Sequence, residues 1–288
     1  MTAIKPKLTL FYFSGSGNTK FVAEKFVEEF AHNHLVELVD IDEFFRFGKE
    51  FDPDFQKGGV IYPVHAFNAP ANVLKFLKNS LPKGEGRKFF IVKSPGDPFF
   101  DGGSTAEVRK ILIGNGYAVS HESLIVMPAN VFLRFSDSLI SKIMEVADKR
   151  IKKAVLEIDS GETVLSKNPW LIRFSTWILS RLETFGGRFF GKDLKVNKNC
   201  DSCGICQKVC PMGNISLKNG DKPRFGWKCM ICMRCIYSCP QDAIAPLFLK
   251  FFKVENFYNI KEFPKKNDDS DPTLFEKGFR KYFEDSLL

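Results

Sequence analysis

Lys7-Leu-Thr-Leu-Phe-Tyr-Phe-Ser-Gly-Ser-Gly-Asn-Thr19 is the stretch that decides the fold of the first half of the chain. Lys7–Phe13 is a short, largely apolar run, which reads as a first buried strand. It breaks off into Ser14-Gly15-Ser16-Gly17, after which Asn18–His32 places Val22, Phe26 and Phe30 on one face of a helix. A small, hydroxyl-rich loop feeding a helix N-terminus combines backbone N–H groups, side-chain hydroxyls and the positive end of the helix dipole. That combination suits a phosphate monoester. Ser14, Gly15, Ser16, Gly17, Asn18 and Thr19 are therefore the candidate anion-binding residues. Without a Gly-Lys-Ser/Thr the loop is not of the nucleotide-hydrolysing type, and without GxGxxG spacing it is not a dinucleotide-binding turn.

Outward from this stretch, short apolar runs alternate with helical patterns. Leu35–Asp40, Gly59–Tyr62, Lys88–Lys93 and Tyr117–Met127 read as strands, and Ala69–Ser80, Ser104–Gly114 and Ser138–Asp159 as helices. Five strands with helices between them predict an α/β, doubly wound, parallel five-stranded sheet over residues 1–165. Ligands of such sheets bind beyond the carboxyl ends of the strands.

The second half is organised by Cys200-x2-Cys203-x2-Cys206-x3-Cys210-Pro211 and Cys229-x2-Cys232-x2-Cys235-x3-Cys239-Pro240, which hold all eight cysteines of the chain. The two runs repeat at a fixed offset, Cys200 on Cys229, Pro211 on Pro240 and Ile215 on Ile244, which implies two similar sites. This spacing aims three thiolates at one Fe4S4 cube, and in two-cluster chains the fourth Cys of each run serves the other cluster. One [4Fe-4S] cluster is then expected on Cys200, Cys203, Cys206 and Cys239, the other on Cys229, Cys232, Cys235 and Cys210. Zinc seldom takes three cysteines at this spacing. Disulfides are disfavoured because no secretory signal precedes the first strand.

Ser14-Gly15-Ser16-Gly17-Asn18-Thr19 resembles the flavodoxin phosphate loop, Thr/Ser-x-Thr/Ser-Gly-Asn-Thr, and the whole chain resembles the fused flavodoxin–ferredoxin proteins of anaerobes. The resemblance implies FMN, a strand order of 2-1-3-4-5, and a small α+β 2[4Fe-4S] ferredoxin-like domain over 195–246. It also implies that the flavin ring lies between Pro63-Val64-His65-Ala66-Phe67-Asn68, after the third strand, and Ser94-Pro95-Gly96-Asp97, after the fourth. The first 150 residues contain no Trp, so His65, Phe67 or Phe99 would stack on the ring. A protonated His65 would stabilise the reduced flavin, and few acidic residues near the ring imply a less negative flavin potential.

The length of 288 residues accommodates two domains. A formal net charge of +8 without any Lys/Arg run favours a solvated basic surface over nucleic-acid binding. No stretch approaches the ~20 apolar residues of a membrane span, and a cytoplasmic location is expected. Residues 195–245 carry eight Lys/Arg against three Asp, which favours an acidic redox partner, a ferredoxin or an oxidoreductase. Trp227 and Tyr237 read as packing residues beside the clusters. Between the domains, 166–194 is a connector: Leu171, Phe174, Ile178, Leu182, Phe185 and Phe189 recur at helical spacing, and Gly186-Gly187 is expected to end the helix. Trp and Arg beside that stripe leave open whether it packs the two domains together or lies on a membrane surface. The tail, 247–288, is expected to dock, with Thr273-x-x-Glu276 as a capping box and Asn267–Asp271 as a spacer. The function that follows is electron transfer between FMN and two [4Fe-4S] clusters. Alternatives are a flavin-dependent reductase fed by the clusters and a maturation factor within a larger complex. Oligomeric state is open.

Overall fold

The computed structural model describes residues 5–65, 67–99, 103–167, 169–218, 221–255 and 277–285. Its larger layer is a five-stranded sheet of β1 (Lys7–Tyr12), β2 (Leu35–Asp40), β3 (Lys57–Tyr62), β4 (Lys88–Lys93) and β5 (Ala118–Leu124), in the order β2-β1-β3-β4-β5. Every neighbouring pair is parallel. That order has its switch point at β1/β3, where doubly wound sheets of this kind bind their ligand.

Side chains alternate faces along each strand, so the two cores can be read from β1. Phe11 and Phe13 face α3 (Ala71–Asn79) and α4 (Ala106–Gly114) through Val73, Phe76, Val108 and Leu112. Leu8, Leu10 and Tyr12 face α1 (Asn18–Phe30) and α5 (Asp137–Ser160) through Val22, Phe26, Ile151 and Ala154. Part of the chain's phenylalanine content follows from this packing: a Cβ placed on Gly58 or Gly59 would collide with the rings of Phe89 and Phe90 from the next strand.

A short helix absent from the sequence expectation, α2 (Ile41–Phe47), follows β2 and is capped by Asp40, whose side chain accepts the Asp42 N–H at 2.8 Å. Seven residues give too few turns for a periodic signal. A long helix, α6 (Trp170–Asp193), starts behind Pro169 and leads into the small domain. There β6 (Leu194–Val196) pairs antiparallel with β9 (Ile244–Pro246), and β7 (Ile215–Ser216) with β8 (Arg224–Phe225). Two single-turn helices, α7 (Ile205–Val209) and α8 (Arg234–Tyr237), carry Cys206 and Cys235, and the other six cysteines lie in the loops around them. The tail docks through its last described segment, where α9 (Arg280–Glu284) buries Phe279 and Tyr282 against Phe135, Ile140 and Ile143. The capping box and spacer expected in the tail lie outside the described residues.

One expectation is corrected. Gly186-Gly187 does not end α6, which runs on to Asp193. The glycines instead allow close packing: a Cβ on Gly187 would lie 2.7 Å from the Cys229 carbonyl oxygen, and one on Gly191 would lie 2.6 Å from the Cys229 Cβ. Toward its other end, Thr176 accepts the Gly103 N–H at 3.1 Å. The same helix face therefore touches the sheet domain and a cysteine loop.

Candidate metal centres and phosphate loop

Each cysteine run turns sharply through left-handed backbone positions, and these recur at the offset seen in the sequence. Ser202 (φ 60°), Gly204 (φ 77°) and Gly213 (φ 56°) are matched by Ile231 (φ 53°), Met233 (φ 59°) and Asp242 (φ 44°). A β-branched residue at positive φ is a costly conformation, which persists where the surroundings impose it. Backbone donors on the cysteine sulfurs repeat as well. Asn214 N–H lies 3.3 Å from Cys210 Sγ and Ala243 N–H lies 3.3 Å from Cys239 Sγ.

The eight thiols line two cavities. Cys200, Cys203, Cys206 and Cys239 surround one, closed by Leu217, Pro223 and Ile244. Cys210, Cys229, Cys232 and Cys235 surround the other, closed by Phe190, Met230, Met233 and Ile236. Among the described residues, no three His, Cys, Asp or Glu side chains converge closely enough to hold a single metal ion. The two cavities differ in depth. Cys232 is buried and Cys203 exposed. Burial pushes the Cys229 thiol up to about 12 and the Cys232 thiol up to about 11, and it raises Cys235 and Cys206 as well. Bare thiols in such an environment are neutral, so a ligand that takes them as thiolates must supply compensating positive charge.

The inner cavity lies against the phosphate loop. Any Cβ on Gly15 would overlap the Cys232 carbonyl oxygen. Two residues on, Arg234 donates to the Ser14 carbonyl and to the Asp42 carboxylate, and its guanidinium lies 5.4 Å from the centre of the Phe13 ring. Asp42, itself buried, also accepts from Arg46 at 3.0 Å. Tyr237 donates its hydroxyl to the Asn130 carbonyl at 2.8 Å, and Asn130 donates to Ser16 Oγ at 3.0 Å. At the loop itself, Gly17 is left-handed, its N–H lies 3.1 Å from Ser14 Oγ, and it caps α1 with no side chain; a helix N-terminus favours an anion. Beside it opens a cleft of about 690 Å³ lined by Ser14–Gly17, by the basic Lys20, Arg46 and Arg234 and by the acidic Asp40, Asp42 and Glu43.

Residues 199–244 match the family described as the 4Fe-4S dicluster domain. That match falls on the cysteine block, and the strand order of the sheet is the flavodoxin-like one. The chain joins a flavodoxin-like domain to a 4Fe-4S dicluster domain. Similar solved structures include a flavodoxin from the domain Archaea, with 15% identity over 53% of this chain and 99% of that one and a TM-score of 0.38. The Streptococcus pneumoniae TIGR4 flavodoxin has 15% identity over 54% and 98%, with a TM-score of 0.39. Two-electron reduced Megasphaera elsdenii flavodoxin has 19% identity over 52% and 98%, with a TM-score of 0.37. No curated protein matches the chain.

In the flavodoxin-like domain the two remaining candidate loops sit at the ends of β3 and β4. After β3, His65 and Asn68 exchange backbone hydrogen bonds at 2.9 and 2.8 Å, with Phe67 left-handed (φ 65°) at the turn between them. Ala66 lies outside the described residues, and Pro63 and Val64 are half-buried. Asn68 donates to Glu107 at 2.7 Å, which fixes the turn on α4. After β4, Asp97 accepts the Phe99 N–H at 2.8 Å, and Pro95 accepts the Met127 N–H at 2.9 Å. Gly96 lies against Ala129, which a Cβ would approach to 3.2 Å. The Ser94 hydroxyl is buried and unpartnered among the described residues, a polar group that a bound ligand at this strand end could satisfy.

Four residues depart from expectation here. His65 is disfavoured as a cation: burial pushes its pKa down to about 4, an effect that the Met230 backbone of the dicluster domain partly offsets. Phe99 packs edge-on against Phe279 of the tail at 5.7 Å. Trp227, half exposed, leans on Phe189 at 5.7 Å and lines neither cavity. Tyr237 bridges the domains instead of merely filling space. The sequence reading missed Arg234 and Asp42. A signal existed in the repeat, because Arg234 occupies the place that Ile205 holds in the first run.

Proposed function

We propose that the flavodoxin-like domain holds FMN and that the dicluster domain holds two [4Fe-4S] clusters, so that electrons pass between them and onward to partner oxidoreductases. The observation that carries this reading is the seating of the Cys232 backbone directly on Gly15 of the phosphate loop. FMN exchanges electrons singly or in pairs and each cluster exchanges one, so together they can split or gather electrons.

The chain's own residues would have distinct tasks. Ser14–Thr19 would hold the phosphate with loop N–H groups and hydroxyls, and the loops after β3 and β4 would flank the ring. Cys210, Cys229, Cys232 and Cys235 would hold the inner cluster; Cys200, Cys203, Cys206 and Cys239 the outer one. Arg234 fixes the inner loop on the flavodoxin-like domain through Ser14 and Asp42. The exposed Cys203 side would be the face for a partner; the excess of Lys and Arg that would favour an acidic one is spread over the dicluster domain, while Asp201 accepts the Cys203 N–H at that edge. Anaerobic purification with iron, sulfide and flavin analysis tests the assignment. About eight irons and one FMN per chain are expected; a flavin-free chain, or one loading a single cluster after reconstitution, would overturn it.

A further inference from the structure

Helix α6 carries a second feature that its role between the domains does not use. Trp170, Phe174, Trp177, Ile178, Leu182 and Phe185 recur at i, i+4, i+7, i+8, i+12 and i+15, and all are 37–71% exposed. The opposite face, with Thr176, Gly187, Phe190 and Gly191, is the one buried against the two domains. Large apolar side chains thus form a continuous outward stripe, and Ile172 and Leu179, four residues before and three after Thr176, are also 40% exposed. Single exposed apolar residues are ordinary, but a stripe of this extent marks an interaction surface.

The charge beside the stripe identifies what covers it. Arg181, Arg188 and Lys192 are exposed. The Arg181 guanidinium lies 5.0 Å over the Trp177 ring, and Lys192 Nζ lies 5.3 Å over Trp227, which extends the patch past Phe189 into the dicluster domain. The helix has two acids. Asp193 is engaged by the Phe248 and Leu249 N–H groups, and against Glu183 and Asp193 the helix carries Arg173, Arg181, Arg188 and Lys192, a formal excess of two positive charges. The outward surface is therefore apolar, aromatic and basic. A second copy of the chain would set one basic stripe against another. An anionic bilayer surface meets both needs at one depth, with acyl chains for the apolar stripe, headgroups for the Trp rings and negative charge for Arg and Lys. No helix among the described residues is long and apolar enough to cross a membrane. We propose that the outer face of α6 lies flat on an anionic lipid surface and holds both domains against it.

Vesicle co-sedimentation of the full, cluster-loaded chain tests this. Binding is expected to vesicles of phosphatidylcholine with about one-third phosphatidylglycerol, not to phosphatidylcholine alone, and to weaken with salt. Trp177→Glu with Leu182→Glu should abolish it, and Arg181→Gln with Arg188→Gln should weaken it by about tenfold or more. These positions are exposed, so unchanged visible absorbance of the clusters will report an intact fold. Failure to bind anionic vesicles, or equal binding by the Trp177/Leu182 variant, would overturn the proposal. So would a vesicle-free dimer that this variant converts to monomer, because a second copy would then cover the stripe. None of these results depends on flavin content, which separates this test from that of the redox assignment.

Discussion

Gly15 has no side chain because the Cys232 carbonyl occupies the space a Cβ would need. Gly15→Val should push the inner cysteine loop off the phosphate loop and cost about 1–3 kcal/mol, as overpacking of a tight contact does. A denaturation midpoint equal to the parent's, with flavin content unchanged, would show that the contact is not tight. Arg234 stands beside it as the polar half of the same junction, and Asp42 would keep only Arg46 without it. Two histidines give the protein a pH signature. Burial holds both His65 and His121 at about 4 when folded, whereas the unfolded chain protonates near 6.5. Between those values the unfolded state binds more protons, so stability falls as pH drops through this window. Urea midpoints at about pH 7.5 and pH 5.5 should differ in that direction. His65→Gln and His121→Gln should each flatten the dependence.

Among the elements, α6 shows where sequence reading stops. Its stripe was legible from periodicity, and so was the sheet's strand alternation, because both follow from which positions are apolar. Its length was not. A Gly-Gly pair ordinarily weakens a helix, and only the neighbouring Cys229 loop, distant in sequence, explains why two of its glycines lie inside one. Paired substitutions separate these effects. A Cβ on Gly186 would meet nothing within 4 Å, so Gly186→Ala should stabilise by about 0.5–1 kcal/mol through helix propensity alone. Gly191→Ala should instead destabilise by about 1–3 kcal/mol, since its Cβ would meet Cys229. Thermal unfolding of the two variants should move in opposite directions. Shifts of the same sign would mean that α6 does not pack on the cysteine loop. The cysteine runs were legible because metal-ligand spacing is local. The partner of Arg234 was not, since Asp42 lies 192 positions away on a helix too short to announce itself.

At the scale of the whole molecule, the two domains meet at the site itself. The inner cysteine cavity backs onto the phosphate loop, and the outer one, with the exposed Cys203, faces away toward solvent. With two clusters held as proposed, this order would make the flavodoxin-like domain and the inner cluster neighbours within one chain and leave the outer cluster to partners. Association with an acidic redox protein should accordingly weaken as salt rises, because the dicluster domain carries an excess of Lys and Arg. The most direct test of the central claim is flash photoreduction of the flavin in the loaded protein, followed by absorbance at the cluster wavelengths. Cluster bleaching is predicted at a first-order rate independent of protein concentration and slowed in Arg234→Gln. A rate proportional to concentration, or a reduced flavin that leaves the clusters untouched, would contradict the account.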